Sequence, residues 1–200
     1  MKKLIIFGGG GHSNSCIDVI LSEKKFKIDY IIDEKIKEKE KFKIKIRKFD
    51  YFKKNISKSN RIFIGLGLIK NAKQRLNLIK KIEKYKIEFA KIISPHSIIS
   101  KFSKINEGTI VMHNAVINSN VIIKQHSIIN TLSLVEHDVS IGKNCHISTG
   151  TIINGGCKID DNTFIGSGTV VHQNINIGKN CIIGAGKIIK KNLPSNTIIK

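Results

Sequence analysis

The sequence predicts a small α/β domain followed by a parallel β-helix, and three observations support this fold class. An Ile or Val stands at every sixth position from Ile105 to Ile189, fifteen times without a break. The chain opens differently, with an apolar strand, a glycine turn and a helical pattern. Between the two parts stands Pro95, which stops a helix and makes the preceding residue extended. We therefore predict a Rossmann-like domain over residues 1–92 and a hexapeptide β-helix over residues 93–200.

The first 90 residues alternate short apolar runs with amphipathic stretches, as a small α/β unit does. We expect strands over residues 4–7, 28–32 and 61–64, and helices over residues 13–23 and 71–85. Strand, glycine turn and helix form a phosphate-binding arrangement, because free N–H groups and the positive helix end receive the anion. The third glycine of the dinucleotide pattern is missing, so a turn that only closes the sheet stays an open alternative.

The six-residue period excludes a run of helices, since a 3.6-residue turn would carry the aliphatic positions steadily around each helix. Three hexads make one triangular coil of 18 residues, so fifteen hexads predict about five coils. The position four residues after each aliphatic is small or compact almost throughout, as an interior slot requires. These residues are Thr109, Ala115, Val121, Ser127, Ser133, Val139, Cys145, Thr151, Cys157, Thr163, Thr169 and Cys181.

Four cysteines occur without a C-x-x-C pair, and three of them occupy these interior slots. We therefore predict packed free thiols and no metal site. The apolar run near the N-terminus stops at Gly8, too early for a signal peptide, and no later stretch approaches 18 apolar residues. These features predict a soluble, cytoplasmic protein without membrane insertion.

The formal charge of +20 is concentrated in residues 1–92, which carry 25 Lys and Arg against 10 Asp and Glu. Such a charge could attract nucleic acid. The low-complexity segment at residues 34–48, however, lacks the aromatic interleaving that base stacking needs. A solvated lysine surface is therefore the preferred interpretation, and it still favours small polyanions such as nucleotide diphosphates and coenzyme A.

Ionisable residues are few in the predicted prism. Glu136, His137 and Asp138 directly follow the ladder residue Val135, and His146 lies in the next hexad. A carboxylate beside an imidazole fixes its tautomer and stabilises its protonated form, so His137 is a candidate general base. The other prism histidines have no neighbouring acid in the sequence, and we expect them at the surface: His113, His126 and His172.

Together, these motifs resemble a known family. The glycine turn with His12, Asp33 at the end of the second strand, the hexads, and the stretch Ile-Ile-Asn-Thr-x-Ser-x-Val-Glu-His-Asp followed by His-Ile-Ser are similar to the bacterial nucleotide-sugar acetyltransferases of the PglD/NeuD family. The resemblance covers essentially the whole chain. It implies a left-handed β-helix and a homotrimer with acetyl-CoA between neighbouring prisms.

The resemblance also implies roles for individual residues. His137 would accept the proton, and Asp138 would raise its basicity. Acetyl-CoA would contact His146, Ser167 and Ala185. The sugar nucleotide would be held by Gly10, Gly11, His12, Asp33, Glu34, Gly67 and Lys70.

Two positions depart from the family pattern. Lys70 replaces an acidic residue, and the chain reaches Lys200 without the Gly-x-Pro-Ala-Lys tail, which predicts a shortened chain or a weaker coenzyme site. The predicted function is acetylation, with acetyl-CoA, of the amino group of a UDP-linked 4-amino sugar for cell-surface glycans. O-acetylation of a sialic acid is the alternative. A non-catalytic scaffold or a nucleic-acid-binding protein are alternatives from other classes.

Overall fold

The computed structural model describes residues 1–68 and 72–200. The N-terminal part contains a five-stranded sheet in the order β3-β4-β2-β1-β5, parallel except for the β3–β4 pair. Its elements are β1 (Lys2–Phe7), α1 (Gly11–Glu23), β2 (Phe26–Ile32), β3 (Glu40–Lys41), β4 (Ile44–Arg47), α2 (Phe49–Asn55), β5 (Arg61–Ile64) and α3 (Lys73–Glu83). The three predicted strands and two predicted helices are present. The low-complexity segment, for which no element was predicted, contributes β3 and β4.

Both faces of this sheet are covered, as the unbroken apolar run of β1 requires. Leu4 and Ile6 pack with α1 against the beginning of the β-helix. Ile5 and Phe7 point the other way, into a cluster formed with α2 and α3. The described helices include none that is long and apolar enough to cross a membrane.

The β-helix consists of eighteen two-residue strands on three faces, with an 18-residue step along each face until the last coil. Face 1 contains Ile92–Ile93, Ile110–Val111, Ile128–Ile129, His146–Ile147, Phe164–Ile165, Ile182–Ile183 and Ile198–Ile199. Face 2 contains Ile98–Ile99, Val116–Ile117, Leu134–Val135, Ile152–Ile153, Val170–Val171 and Ile188–Ile189. Face 3 contains Lys104–Ile105, Ile122–Ile123, Ser140–Ile141, Lys158–Ile159 and Asn176–Ile177.

The second residue of each strand points inward, and the ladder from Ile105 to Ile189 is buried throughout. The small residues of the predicted interior slots are buried as well, and the four cysteines are free thiols inside the protein. The predicted fold class, an α/β domain followed by a hexapeptide β-helix, is confirmed. The prism begins earlier than the hexad series, at Ile92, and its last coil is shortened so that Leu193 pairs with Ile177.

The corner between faces 3 and 1 carries a ladder of asparagines. Asn144, Asn162, Asn180 and Asn196 all have a positive φ, a conformation that asparagine tolerates better than most residues. Each side-chain amide donates to the carbonyl oxygen of the next, over 3.0, 3.2 and 3.1 Å. The amide dipoles therefore align along the prism, and the carbonyl oxygen of Asn144 is left at one end.

The outward residues give the three faces different surroundings. Face 1 is covered by the N-terminal domain over its first three strands, where Ile92, Ile110 and Ile128 are buried. Face 3 is mostly polar. Face 2 presents an unbroken apolar row to solvent, and its end residues Ile98 and Ile188 are 68% and 61% exposed. This outward apolar row consists of Ile98, Val116, Leu134, Ile152, Val170 and Ile188.

Two of the three histidines expected at the surface lie at the domain interface instead. His126 is buried with its ring against Phe89, at 4.6 Å between ring centroids, so that prediction is wrong. His113 is half-buried; its Nδ1 lies 2.6 Å from the Ser94 hydroxyl and its Nε2 lies 3.1 Å from Asp18. Asp18 comes from α1, 95 residues earlier, so no local pattern could predict this pair.

Candidate active site

His137 and Asp138 lie at the corner between faces 2 and 3. Nδ1 of His137 is 2.8 Å from Oδ2 of Asp138, and the His137 side chain is 63% exposed. The other Asp138 oxygen accepts a bond from the Asn120 amide at 2.6 Å. Hydrogen bonds from Asn120 and then from His137 hold the pKa of Asp138 below its ordinary value. The carboxylate therefore fixes the ring, and Nε2 of His137 has no hydrogen-bond partner among the described residues.

Gly155 lies one coil further along, directly against the His137 ring. A Cβ at this position would stand 2.7 Å from both Cε1 and Nε2 of His137, so only glycine leaves the ring in place. Within the described part of the chain, the N–H of Gly155 has no acceptor. Sequence reasoning missed this residue, although its 18-residue distance from His137 is one full coil and could have indicated it.

A first cavity of about 710 Å³ lies along face 1 and its corner with face 2. The predicted acetyl-CoA residues His146, Ser167 and Ala185 all line it, together with Asn130, Ser148, Phe164, Gly166, Ile182, Gly184 and Ile198. The backbone N–H groups of Ser167 and Ala185 have no acceptor among the described residues. Apolar walls with unpaired amides can bind a long ligand that carries carbonyl groups.

His146 is the buried histidine of the first cavity. Its Nδ1 lies 2.7 Å from the carbonyl oxygen of Leu68, and its Nε2 lies 3.2 Å from the Asn130 amide. Burial, followed by the His12 ring and then the charge of Arg75, lowers the pKa of His146 to about 3. The ring is therefore neutral, with its proton on Nδ1 toward Leu68 and Nε2 as acceptor.

A second cavity of about 500 Å³ lies at the carboxyl ends of β1 and β2. It is lined by Gly8, Gly10, Asp33, Glu34, Lys35, Ile36, Phe49, Leu66, Gln74, Asn77, Leu78 and Lys81, with Phe7 and Ile32. Helix α1 begins here without a side-chain cap, and its first turn contains no acidic residue. Its unpaired N–H groups and the positive end of its dipole suit a phosphate.

Asp33 and Glu34 already have partners in the second cavity. One oxygen of Asp33 accepts the N–H of Gly9 at 2.8 Å, and the other accepts two N–H groups of the following loop. Burial opposes ionisation here, but these bonds outweigh it and lower the pKa of Asp33. Glu34 accepts the N–H of Phe49, at the start of α2. Both carboxylates shape the pocket, and each keeps lone pairs for a ligand.

The predicted sugar-nucleotide residues fall into separate groups. Gly10, Asp33 and Glu34 line the second cavity, whereas His12 and Gly67 line the first. The His12 ring stands 5.8 Å from the His146 ring between centroids. A Cβ on Gly11 would meet open space. Lys70 lies outside the described residues, and His137 lines neither cavity.

Comparison with known families covers most of the chain. Residues 3–82 match the PglD N-terminal domain. Residues 86–170 match the GlmU-like C-terminal hexapeptide family, and residues 156–191 match the bacterial transferase hexapeptide family of six repeats.

Solved structures with the same fold span nearly the whole chain. The acetyltransferase domain of PglB from Neisseria gonorrhoeae superposes with a TM-score of 0.92 at 22% identity, over 99% of this chain and 96% of that one. PerB from Caulobacter crescentus, solved in complex with CoA and GDP-perosamine, gives 0.88 at 25% identity, over 98% and 92%. WeeI from Acinetobacter baumannii gives 0.87 at 23% identity, over 98% and 94%.

The fold and the matched domains define a hexapeptide-repeat transferase with an α/β domain in front of its prism. The chain combines a PglD N-terminal domain with hexapeptide repeats, and the resemblance stated from the sequence motifs is confirmed. In the described part of the chain no cluster of three His, Cys, Asp or Glu side chains could hold a metal ion.

The buried histidines predict how stability depends on pH. The pKa of His12 and of His126 is lowered to about 4, and that of His146 to about 3. Burial is the largest cause in all three residues. The unfolded chain, with ordinary values near 6.5, therefore binds more protons below that pH, and stability falls as pH drops from about 6.5 toward 4. At pH 5 we expect the free energy of unfolding to be lower by about 2 kcal/mol for each buried histidine.

Urea unfolding at pH 7.5 and pH 5 measures this loss. His126→Asn provides the comparison, because asparagine tolerates the positive φ of His126 but does not titrate. We expect the variant to lose about 2 kcal/mol less stability than the native chain between the two pH values. Equal losses in the two proteins would contradict the prediction.

Proposed function

We propose that this protein transfers the acetyl group of acetyl-CoA to the amino group of a nucleotide-linked sugar, of the UDP-4-amino-sugar type, for cell-surface glycan biosynthesis. The observation that carries the proposal is the pair of cavities separated by Leu66 and Gly67. One offers unpaired backbone amides along an apolar wall, and the other offers an uncapped helix N-terminus to a diphosphate. The PerB structure, with CoA and GDP-perosamine, is a related protein that holds both kinds of ligand.

The proposed roles of the catalytic residues follow from their geometry. Acetyl-CoA supplies a thioester carbonyl that an amine can attack. Asp138 holds the Nδ1 proton of His137, so Nε2 is free to take the proton that the attacking amine loses. The same nitrogen then gives this proton to the departing sulfur. The free N–H of Gly155, beside the ring, is positioned to stabilise negative charge on the carbonyl oxygen.

We also propose that three copies of the chain assemble through face 2. Within the described part of the chain, its outward row of six apolar residues is exposed or half-buried. One edge of this face carries His137, and the other edge carries the first cavity with Ser167 and Ala185. When face 2 packs against a neighbouring prism, His137 of one copy approaches the first cavity of the next. The proposed site is therefore shared between copies, and acetyl-CoA lies between them.

A thioester-consumption assay tests the proposed function. The panel contains UDP-linked and GDP-linked amino sugars, the same sugars with a hydroxyl in place of the amine, and free sialic acids. We expect coenzyme A release with a nucleotide-linked amino sugar. Release with free sialic acid alone would instead support O-acetylation. The cytoplasmic location and the domain boundary at residues 92 and 93 stay predictions.

Gly10→Val separates the two ligands. A Cβ on Gly10 meets no atom within 4 Å, so the fold accepts the substitution, but the new side chain enters the second cavity beside the N-terminus of α1. Loss of a charged hydrogen bond to phosphate should raise KM for the nucleotide sugar on the order of tenfold or more. Calorimetric titration should show unchanged coenzyme A affinity. Gly10→Ala, whose single methyl group meets open space and cannot cap the helix, is the matched control and should keep the native KM.

The opposite result would reject this assignment. If coenzyme A affinity falls in Gly10→Val while the nucleotide sugar binds as before, the second cavity does not hold the nucleotide.

A further inference from the structure

Residues 66–68 contact both cavities. Leu66 lines the second cavity and packs on Gly8, where a Cβ would stand 2.5 Å from a Leu66 methyl carbon. Gly67 lines the first cavity, and the carbonyl oxygen of Leu68 binds Nδ1 of His146. A displacement of this short segment by a ligand in one cavity therefore reaches the wall of the other.

Arg75 of α3 fixes this segment to the prism. Its Nε donates to the carbonyl oxygen of Leu66 at 2.9 Å. Its Nη1 donates to the carbonyl oxygen of His126 at 2.7 Å and to Oδ1 of Asn144 at 2.5 Å. One guanidinium thus joins the segment between the cavities to two neighbouring coils of the β-helix. The asparagine ladder orients Asn144 for this bond, because the Asn144 amide donates to Asn162.

A contact that only held the two domains together would not need the charge of Arg75. Arg75 is 2% exposed. Among the described residues its three bonds all go to uncharged oxygens, and its buried Nη2 has no partner. Arg75 forms no ion pair with a carboxylate in the described part of the chain. A buried unpaired charge is costly, and an apolar side chain could hold two domains together at lower cost. After burial itself, its charge is a further cause that keeps His12 and His126 neutral.

We propose that Arg75 is a positioning residue that couples occupancy of the second cavity to ligand binding in the first, through Leu66, Gly67 and Leu68. The inference rests on the proposed function, which assigns a nucleotide sugar to one cavity and acetyl-CoA to the other. A nucleotide that fixes Leu66 also fixes the Leu68 carbonyl, and with it the orientation of the His146 ring. Once the first ligand has ordered residues 66–68, the second ligand binds without the entropic cost of ordering them. By linkage, coenzyme A favours nucleotide binding by the same factor.

Calorimetry measures this coupling directly. Coenzyme A is titrated into the native protein alone, then with saturating UDP, and then with saturating GDP. We expect at least one of these nucleotides to tighten coenzyme A binding about fivefold or more, the lower range of measured couplings. In Arg75→Met we expect the ratio of the two coenzyme A affinities to fall below about twofold, while each ligand alone still binds.

Asn144→Gly is the second variant, in case Arg75→Met does not fold. Glycine accepts the positive φ of Asn144 and removes the Oδ1 acceptor of Arg75, together with the amide that donates to Asn162, so we expect a reduced ratio. Asn180→Gly is the matched control, because Asn180 has a positive φ, lies two coils further along the ladder and contacts neither Arg75 nor Asn144, and it should keep the native ratio. A purely structural Arg75 would weaken both ligands together and leave the ratio unchanged.

The outcomes separate the two proposals. Binding of both ligands to the native protein with a ratio of one overturns the coupling and leaves the proposed function intact. A native ratio that persists in Arg75→Met and Asn144→Gly also overturns it. Failure of UDP, GDP and coenzyme A to bind the native protein overturns the proposed function, and the coupling with it.

Discussion

His137→Ala should lower kcat about 10²–10⁴-fold, the usual effect of removing a general base. The side chain is 63% exposed, and its hydrogen bond is to Asp138, so its removal should leave the melting temperature nearly unchanged. Steady-state kinetics with both substrates saturating measures the effect on kcat. Asp138→Asn should act in the same direction but more mildly, because the ring remains and loses only its carboxylate partner.

His172→Ala is the matched control for this experiment. His172 is exposed and lies at the same corner between faces 2 and 3, two coils beyond Glu136. We expect native kcat in this variant. Native kcat in His137→Ala itself would mean that another group accepts the proton, and the proposed mechanism would then be wrong.

Mixing two inactive variants should restore activity if the site is shared between copies. His137→Ala removes the base but keeps the first cavity, whereas Ala185→Trp fills the first cavity but keeps the base. Each variant alone should be nearly inactive. Random assembly of equal amounts into cyclic trimers gives about a quarter of the native number of sites, because mixed trimers regain one complete interface of three. The measurement is kcat per chain after co-expression of the two variants.

Two further measurements complete this test. Light scattering should give about three times the chain mass of 22.4 kDa for the native protein and both variants. Leu134→Glu, in the centre of the apolar row of face 2, should give single chains that lack activity. If the mixture regains no activity although mixed trimers form, then base and cavity belong to the same copy. A fully active single chain would reject the trimer as well.

The interior of the prism could be predicted from the sequence because its geometry is local. Each coil repeats the backbone of the coil before it, so a residue such as Cys145 or Val171 is buried by its place in the period alone. The pairing of His137 with Asp138 is equally local, since the two residues are adjacent. The β1 strand and the glycine turn are predictable for the same reason.

The domain interface could not be predicted, because its partners are distant in the sequence. Arg75 meets Asn144 across 69 positions, and the sequence gives no sign that α3 reaches the prism. His126 has the same polar character as an exposed histidine until α3 and Phe89 cover it. The apolar row of face 2 could not be predicted for another reason. Its members recur every 18 residues, each directly before a residue of the inward ladder, so the sequence alone does not separate them from the core pattern.

The three faces of the prism have a consequence for how such proteins can change length. Insertion of a single hexad would turn everything that follows by one face, so that Ser167 and Ala185 would leave the corner beside the N-terminal domain. Duplication of three hexads restores every face and lengthens the column by about 4.8 Å, one strand spacing. Insertions and deletions that keep the first cavity beside His12 are therefore restricted to whole steps of 18 residues. In relatives with longer prisms, the additional length of the prism should therefore be a multiple of 18 residues.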